Sequence, residues 1–254
     1  MVENLKPKVS INIISFNRAR YAAEALQSVL RQSFKDWELI FIDDASTDDT
    51  AEIIRPYLSD ARIKYFRNEK NLGISLSRNR ALRESAGEFV AILDSDDYWL
   101  DAEKLFKQIA HLYARPDIIA VGTGAVAVDE DGKKRWRIKL PIGDVGKNLL
   151  WKNPLLHSSV LYRREPVLAA GAYDEAVSGI EDYGLWLELG TKYKLANLPE
   201  PMTAYRVHAG NITGTKRRAL LAKHFSLLKK YKNKYPLYYC GLFKRSFQYL
   251  LSFL

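Results

Sequence analysis

Residues 89–97 read FVAILDSDD, five apolar residues followed at once by three aspartates and a serine. A short, continuous apolar run is typical of a strand that is buried on both faces of a parallel sheet. The polar residues then mark the carboxyl end of that strand. Because ligands bind beyond the carboxyl ends of the strands in open α/β sheets, Asp94–Asp97 is the first candidate binding site of the chain.

Two earlier segments have the same form. Residues 9–16 (VSINIISF) lead into Asn17 and Arg18, and residues 37–42 (WELIFI) end in Asp43 and Asp44. Alternating strand and helix patterns predict an α/β fold, with a mostly parallel sheet flanked by helices. The three polar clusters should therefore meet at one edge of the sheet. A shorter strand is predicted at 63–66, and helical spacing of apolar residues is found at 21–32, 49–58, 75–85 and 102–113.

The second half of the chain is less regular. A β-hairpin is predicted where 118–128 and 134–139 flank the turn at 129–132. Residues 181–189 begin with two acids and continue apolar, which is typical of a helix with an acidic first turn. We expect a strand at 158–162 and an extended segment at 195–208, interrupted by Pro199 and Pro201. The chain thus divides into one domain, 1–215, with halves of about 1–100 and 101–215, and a tail, 216–254.

The composition is that of a globular protein, with 254 residues, 47% of them hydrophobic and 27% charged. The single cysteine, Cys240, excludes an intramolecular disulfide framework and a cysteine-based zinc site. The sequence contains no run of about 18 apolar residues, the length that spans a bilayer. The N-terminus lacks the apolar core of a signal peptide. We therefore expect a cytoplasmic protein.

The net charge of +9 is concentrated in the tail. Residues 216–254 contain ten Lys and Arg, nine aromatic residues and no acid, whereas the rest of the chain has a net charge of −1. Cations interleaved with aromatic rings suit an anionic membrane surface, and we favour this interpretation. The alternative is a helix packed on the domain with a solvated basic face. We expect no nucleic-acid partner, because no known nucleic-acid-binding module accompanies the charge.

Six motifs occur in a fixed order along the chain. Together they resemble the family 2 inverting glycosyltransferases of the GT-A fold, over about residues 8–215. The resemblance implies a Rossmann-like sheet and the transfer of a sugar from a nucleotide-sugar donor, most often UDP-linked, to an acceptor hydroxyl. The motifs are SFN at 15–17, DDASTDDT at 43–50, NLGISLSRNRA at 71–81, LDSDDYW at 93–99, GIEDYGLWLEL at 179–189 and YRVHAGNIT at 205–213.

The resemblance also implies residues that bind the nucleotide and the donor sugar. Arg78 would meet the diphosphate or order the acidic turn, since an arginine fork suits phosphate oxygens. Ala45 stands where the family often has glycine, so we expect ordinary backbone geometry there. The implied binding residues are Phe16, Asn17, Asp43, Asp44, Arg78, Asp94 and Arg206.

Two further roles follow from the resemblance. In the DxD element, Asp96 would bind Mn²⁺ or Mg²⁺ with His208 completing the site, and Asp97 would support them. Asp182 would be the general base that takes the proton of the acceptor hydroxyl, and Glu181 would orient it.

The alternative functions are a sugar nucleotidyltransferase and a non-catalytic nucleotide-sugar-binding scaffold of the same fold. A nucleotidyltransferase would normally show a glycine-rich loop after the first strand, and a scaffold would typically have lost Asp96 or Asp182. A Rossmann dehydrogenase is excluded because GxGxxG is missing after the first strand. With the basic tail, the resemblance implies a glycan or lipid-linked glycan acceptor. It also implies polysaccharide or cell-envelope assembly by a peripheral enzyme at the inner membrane face.

Overall fold

The apolar runs of the first half form the predicted strands in a computed structural model that describes residues 6–211, 217–235 and 238–251. Polar or glycine-containing turns separate the strands from amphipathic helices. Most bounds lie within two residues of those predicted. The elements are β1 (Val9–Ser15), α1 (Ala19–Leu30), β2 (Trp37–Asp43), α2 (Thr50–Ile54), β3 (Ile63–Arg67), α3 (Ile74–Glu84), β4 (Phe89–Ile92), β5 (Tyr98–Trp99) and α4 (Lys104–Ala114).

The second half adds an antiparallel part to the sheet. The predicted hairpin and the helix at Glu181–Leu189 are confirmed, whereas β5, β8 and α5 had not been predicted. Pro199 and Pro201 do not interrupt the extended segment predicted at 195–208. The pairing register with the neighbouring strand shifts on either side of Pro201, and these irregularities accommodate the prolines. The elements are β6 (Ile118–Val128), β7 (Lys134–Ile138), β8 (Gly143–Asp144), β9 (Leu161–Arg163), α5 (Arg164–Ala169), α6 (Glu181–Leu189), β10 (Lys194–Arg206), α7 (Arg217–Lys229) and α8 (Tyr238–Leu251).

Strand order explains why the polar clusters meet. The strands run in the order β3-β2-β1-β4-β9-β6-β10-β5. Strands β1 to β4 are parallel, and β10 is parallel to β6. Because β9 is antiparallel to both β4 and β6, β10 runs in the same direction as β1 and β4. The carboxyl ends of β1, β2, β4 and β10 therefore lie along one edge of the sheet, as the α/β prediction requires.

The sheet is buried on both faces. Phe89, Ala91 and Leu93 belong to one apolar core, together with residues of α1 and α4. Val90 and Ile92 belong to a second core, together with α6. Successive side chains of a strand point to opposite faces, so the continuous apolar run at 89–93 supplies both cores.

The basic segment at 216–254 contributes two helices, α7 and α8. Leu227, Leu228 and Tyr231 are buried and join the same apolar core as Trp186 of α6. Within the described part of the chain, every helix is too short or too polar to cross a bilayer.

Candidate active site

The turn after β4 directs its acids to different partners. Asp97 is buried, and its Oδ1 accepts the backbone N–H of Arg206 at 2.8 Å. Ser158 lies between Asp97 and Asp94. Its hydroxyl is hydrogen-bonded to Oδ2 of Asp97 and lies 3.0 Å from Oδ2 of Asp94, and it accepts the backbone N–H of Asp94. The turn is thus held by one side chain from a distant 3₁₀ segment, His157–Ser159.

A single hydroxyl proton cannot serve two carboxylates. Burial raises the pKa of Asp97 well above its usual range, and the charges of Asp96 and Asp94 raise it further. For Asp94, burial raises the pKa, but the Arg78 guanidinium, together with His157 and the hydrogen bond from Ser158, outweighs this and holds the pKa below the ordinary value. The Ser158 hydroxyl therefore donates to one of the two carboxylates at a time. The opposite pKa directions make Asp94 the more readily ionised acid of this turn.

Asp96 points toward two basic side chains. Its Oδ2 lies 3.2 Å from Nε of Arg18 and 3.1 Å from Nε2 of His208. Arg18 follows β1 and His208 follows β10, so the two strand ends meet at the acidic turn. Arg18 also donates to the backbone oxygen of Gly210 at 3.3 Å. The arginine thus ties the turn after β10 to the carboxylate of Asp96.

Asp96 and His208 partly suit a divalent metal ion. A carboxylate oxygen is a good ligand for Mg²⁺ or Mn²⁺, and imidazole is a common metal ligand. Among residues 6–211, 217–235 and 238–251, the structure shows no group of three or more His, Cys, Asp or Glu side chains that could hold a metal. The pair fits a site that phosphate oxygens complete.

The ring of His208 makes a hydrogen bond at each of its two nitrogens in this structure. The Gly210 N–H donates to Nδ1 at 3.1 Å, so the neutral ring carries its proton on Nε2, facing Asp96. A metal at Nε2 requires the other tautomer, which breaks the Gly210 contact. Metal binding would thus rearrange the turn at 208–210.

Arg78 links the acidic turn to the first residue of α6. Its guanidinium is 6% exposed, bonds Oδ1 of Asp94 at 2.9 Å and pairs with Oε1 of Glu181. Burial lowers the pKa of Arg78, but the charges of Asp94 and Glu181 outweigh that effect and raise it. Of the two roles expected for Arg78, this geometry favours ordering of the acidic turn over contact with diphosphate.

Asp182 lies beside this buried pair in the first turn of α6. Burial raises the pKa of its carboxyl, and the neighbouring charge of Glu181 adds to this, to about 6. Asn153 donates to Oδ2 at 2.7 Å and so favours the ionised form. Glu181 itself is buried. It accepts a hydrogen bond from the Gly179 N–H and forms an ion pair with Arg78. The arrangement gives Asp182 the properties of a proton acceptor near neutral pH.

The turns after β1 and β2 clasp each other. Asn17 donates its backbone N–H to Ser46 Oγ at 3.0 Å, and its side-chain oxygen accepts the Thr47 N–H at 2.8 Å. Phe16 is 42% exposed beside this clasp. The expectation of ordinary geometry at Ala45 was wrong, because its φ is +62° and lies in the left-handed region. The cross-turn hydrogen bonds hold the strained backbone in place.

Asp43 and Asp44 are both buried and use their oxygens within the protein. Asp43 accepts from the Ser46 N–H, the Tyr65 hydroxyl and Arg67. Asp44 accepts from the Asn68 amide and from the backbone N–H groups of Leu72 and Gly73. These carboxylates shape the loop at 68–73. A contact with base or ribose stays a prediction for both.

Arg206 is almost wholly buried, and its donors are used inside the protein. Its Nε bonds the backbone oxygen of Asp96 at 2.9 Å, and Nη1 bonds the backbone oxygens of Asp129 and Glu130. Nη2 pairs with Glu24. The geometry gives Arg206 a positioning role in which it clamps the acidic turn to the hairpin. Phosphate contact by this guanidinium stays a prediction that the arrangement does not favour.

Sequence reasoning missed two residues that contact the site. Ser158 bridges Asp94 and Asp97, and Asn153 holds Asp182. Asn153 lies in a segment without helical or strand periodicity, and Ser158 is only the first residue of the strand predicted at 158–162. Nothing in the local pattern marks either residue as part of a site.

A separate cavity of about 630 Å³ lies between α6 and the C-terminal segment. It is lined by residues that include Tyr173, Glu188 and Lys230. Its lining contains none of the predicted site residues, so this cavity is distinct from the site at the strand ends.

Comparison with known proteins places this arrangement. Residues 10–168 match the model of the family described as Glycosyl transferase family 2. The chain is 30% identical over 262 residues to the UDP-Glc:alpha-D-GlcNAc-diphosphoundecaprenol beta-1,3-glucosyltransferase WfaP of Escherichia coli, covering 95% of this chain and 96% of that protein. It is 28% identical over 213 residues to the amylovoran biosynthesis glycosyltransferase AmsE of Erwinia amylovora, covering 83% and 79%.

Solved structures share the fold. TarS (residues 1–349) of S. aureus, in complex with UDP-GlcNAc, aligns with a TM-score of 0.77 at 20% identity over 95% of this chain and 73% of that one. In the complex of the same TarS segment with UDP, the alignment covers 65% of the TarS chain. The mannosyltransferase PcManGT of Pyrobaculum calidifontis, in complex with GDP-Man and Mn²⁺, aligns with a TM-score of 0.72 at 19% identity over 96% and 70%. At these identities the likeness establishes the GT-A fold alone.

Proposed function

The chain belongs to glycosyl transferase family 2, and from this premise we propose that it is an inverting enzyme of the hexosyltransferase type. It transfers one sugar from a nucleotide-sugar donor, with UDP as the nucleotide, to a hydroxyl of a glycan acceptor. The observation that carries the proposal is the double contact of Arg78 with Asp94 and Glu181. One buried guanidinium thereby joins the donor-side turn to the first turn of α6, which carries the proposed base Asp182.

Asp182 is the proposed general base. The acceptor oxygen attacks the anomeric carbon on the face opposite the diphosphate, the bond from that carbon to the diphosphate oxygen breaks, and the acceptor proton passes to Asp182. Inversion follows from attack on the opposite face. A base with a pKa near 6 is largely ionised at pH 7 and takes a proton more readily than an ordinary aspartate, whose pKa is about 4. General-base catalysis of this kind contributes about 10²–10⁴-fold.

UDP as the donor nucleotide is supported by two proteins of related fold or sequence. TarS has been solved with UDP-GlcNAc, and the name of WfaP specifies UDP-Glc. PcManGT has been solved with GDP-Man, so GDP is the alternative nucleotide. Phe16 and Asn17 lie at the strand end where we place the nucleotide.

Asp96 and His208 are the proposed ligands of Mn²⁺ or Mg²⁺. When bound, the ion neutralises charge on the diphosphate as it leaves. Asp96 and His208 supply an oxygen and a nitrogen that form a hydrogen-bonded pair at 3.1 Å, and His208 would change its tautomer to bind the ion. Arg18 pairs with the same carboxylate and balances its negative charge before the donor binds.

A lipid-linked glycan is the proposed acceptor. WfaP is named for an acceptor carried on diphosphoundecaprenol, and AmsE for the biosynthesis of amylovoran. An acceptor with a lipid anchor is presented at a membrane surface. The proposed enzyme thus works as a peripheral protein at the inner membrane face, in polysaccharide or cell-envelope assembly.

The first test is a donor screen with a base variant. The chain is incubated with Mn²⁺ and a panel of UDP-, GDP- and dTDP-sugars, and the released nucleotide and the transfer product are measured. We expect release from UDP-sugars, and we expect Asp182→Asn to reduce transfer about 10²–10⁴-fold while nucleotide affinity changes little. Glu188→Gln, on the same helix, is the matched control and should retain transfer.

Two outcomes count against the proposal. Transfer that survives Asp182→Asn excludes this residue as the base. Failure of every donor to release nucleotide favours the non-catalytic scaffold, and release of pyrophosphate from a nucleoside triphosphate and a sugar phosphate favours the nucleotidyltransferase.

A further inference from the structure

Helix α8 is fastened to the domain along one face. Tyr238 is 6% exposed, and Leu242 packs against the apolar core that contains Trp186. Gly241 approaches the segment at Leu150 so closely that an added Cβ would lie 2.8 Å from the Cβ of Leu150. The helix backbone therefore lies directly on the domain, and its orientation is set.

The opposite face of α8 carries three exposed aromatic rings. Tyr239, Phe243 and Phe247 are 66%, 76% and 56% exposed. They are spaced four residues apart, which places them on one side of a helix. We call these three residues the aromatic stripe. Scattered single apolar residues on a surface are ordinary, but a continuous stripe on one helix face indicates an interaction surface.

The charge of the segment selects the partner. Helix α8 carries two cations, Lys244 and Arg245, and no acid, so pairing of the stripe with a second copy would bring like charges together. An anionic surface complements both the rings and the cations. One side of the helix packs on the domain and the other carries the exposed rings. The helix therefore suits a position along the surface of a membrane.

We propose that the aromatic stripe of α8 is a docking face for an anionic lipid bilayer, and that it sets the acceptor side of the active site next to that bilayer. The second part rests on the proposed function. Lys244 of α8 lies 5.1 Å from the ring centroid of Trp151, and Leu150 contacts Gly241. Asn153, two residues after Trp151, donates a hydrogen bond to the Asp182 carboxylate. The docked helix thus adjoins the segment that supports the proposed base.

The test is vesicle co-sedimentation of the full chain. Vesicles of phosphatidylcholine with about one-third phosphatidylglycerol are compared with vesicles of phosphatidylcholine alone, at low and at high salt. We expect binding to the anionic vesicles, weakened by salt. The affinity of the double variant Phe243→Ser/Phe247→Ser for the anionic vesicles should fall at least about tenfold, since two rings lose their apolar burial. The matched control is Phe106→Ser on α4, 57% exposed, which should bind like the wild type.

Three results would overturn the docking face. They are equal binding by the wild type and the double variant, equal loss in Phe106→Ser, and no binding of the wild type to either vesicle. Light scattering tests whether a second copy of the chain covers the stripe instead. A dimeric wild type with a monomeric double variant would make the stripe a contact between copies.

Hydrolysis of the UDP-sugar in solution separates this proposal from the proposed function. The double variant should hydrolyse the donor at the wild-type rate, while its transfer to a vesicle-embedded lipid-linked acceptor falls. If the wild type binds vesicles but releases no nucleotide, the proposed function fails and the docking face stands. If transfer to the embedded acceptor is unchanged in the double variant, the placement of the acceptor side at the bilayer is wrong.

Discussion

Two opposing influences act on the single carboxylate of Asp182. Burial and the charge of Glu181 favour the protonated form, whereas Arg78 and the amide of Asn153 favour the ionised form. The balance leaves the pKa at about 6, above that of an ordinary aspartate. The residue therefore changes its protonation state close to neutral pH, where most aspartates are fully ionised.

With Asp182 as the proposed base, this balance predicts how transfer depends on pH. A general base acts only when ionised, so we expect kcat/KM to rise with pH, about tenfold per unit below pH 6, and to level above about pH 7. Asn153→Leu removes a hydrogen bond to the ionised form, which raises the pKa of Asp182 and moves the midpoint to higher pH. The measurement is kcat/KM from about pH 4.5 to 8.5 for both proteins. Coincident midpoints would show that Asn153 does not act on the base.

The backbone at Ala45 is a second effect confined to one residue. An alanine in the left-handed region is disfavoured by about 1–2 kcal/mol, and glycine would avoid this cost. The clasp between the turns after β1 and β2 supplies compensating hydrogen bonds. The strain thus lies at the strand end where we place the nucleotide, which is where strained residues often cluster.

Among the elements, α3 connects the two halves of the site. Its Arg78 reaches the turn after β4 and the start of α6, while its neighbour Asn79 donates to the backbone oxygen of Tyr173 at 2.9 Å. One helix thereby fixes the separation of two elements that are far apart in sequence. The predicted arginine is consequently part of the interior rather than of an open phosphate site.

Replacing Arg78 tests that interior role. Arg78→Met leaves the carboxylates of Asp94 and Glu181 without their buried cation, so we expect unfolding free energy to fall by about 3–5 kcal/mol. Denaturant unfolding at pH 7 measures the change. Arg83→Met, at an exposed position of the same helix, is the control and should change stability by less than about 0.5 kcal/mol. Unchanged stability in Arg78→Met would favour the phosphate-contact role.

At the scale of the whole molecule, the basic segment and the domain share one core. Leu227 of α7 is 2% exposed and lies near Gly184 of α6, where an added Cβ would be 3.7 Å from its Cδ1. A leucine truncated at such a site loses its apolar burial and leaves a cavity. The C-terminal helices are therefore expected to unfold together with the domain.

The corresponding variant is Leu227→Ala. We expect a loss of about 2–4 kcal/mol in a single cooperative transition, measured by denaturant unfolding with circular dichroism and tryptophan fluorescence. Leu58→Ala, at a leucine that is 41% exposed, should alter stability by less than about 0.5 kcal/mol. A separate early transition of α7, with the domain unchanged, would contradict the shared core.

The predicted elements succeed where the signal is local. The runs at 9–16, 37–42 and 89–93 are rich in apolar residues, and all three form central strands. Strand β5 has only two residues and α5 only six, too few for hydrophobic periodicity to develop. Residues 157–159 form a 3₁₀ turn before β9. Strand β9 therefore begins at Leu161, three residues after the start predicted for it.

What the sequence determined by itself is the alternation of strands and helices, the acids at the strand ends and the membership of the family, because each depends on residue order and spacing. Only the tertiary structure decided which acids are committed to the interior, that Ser158 and Asn153 support the site, and which face of α8 stays exposed. These features depend on contacts between distant residues. A hydrogen bond across 64 positions, such as that between Ser158 and Asp94, leaves no periodic trace in the chain, since it forms only when the strands and helices pack.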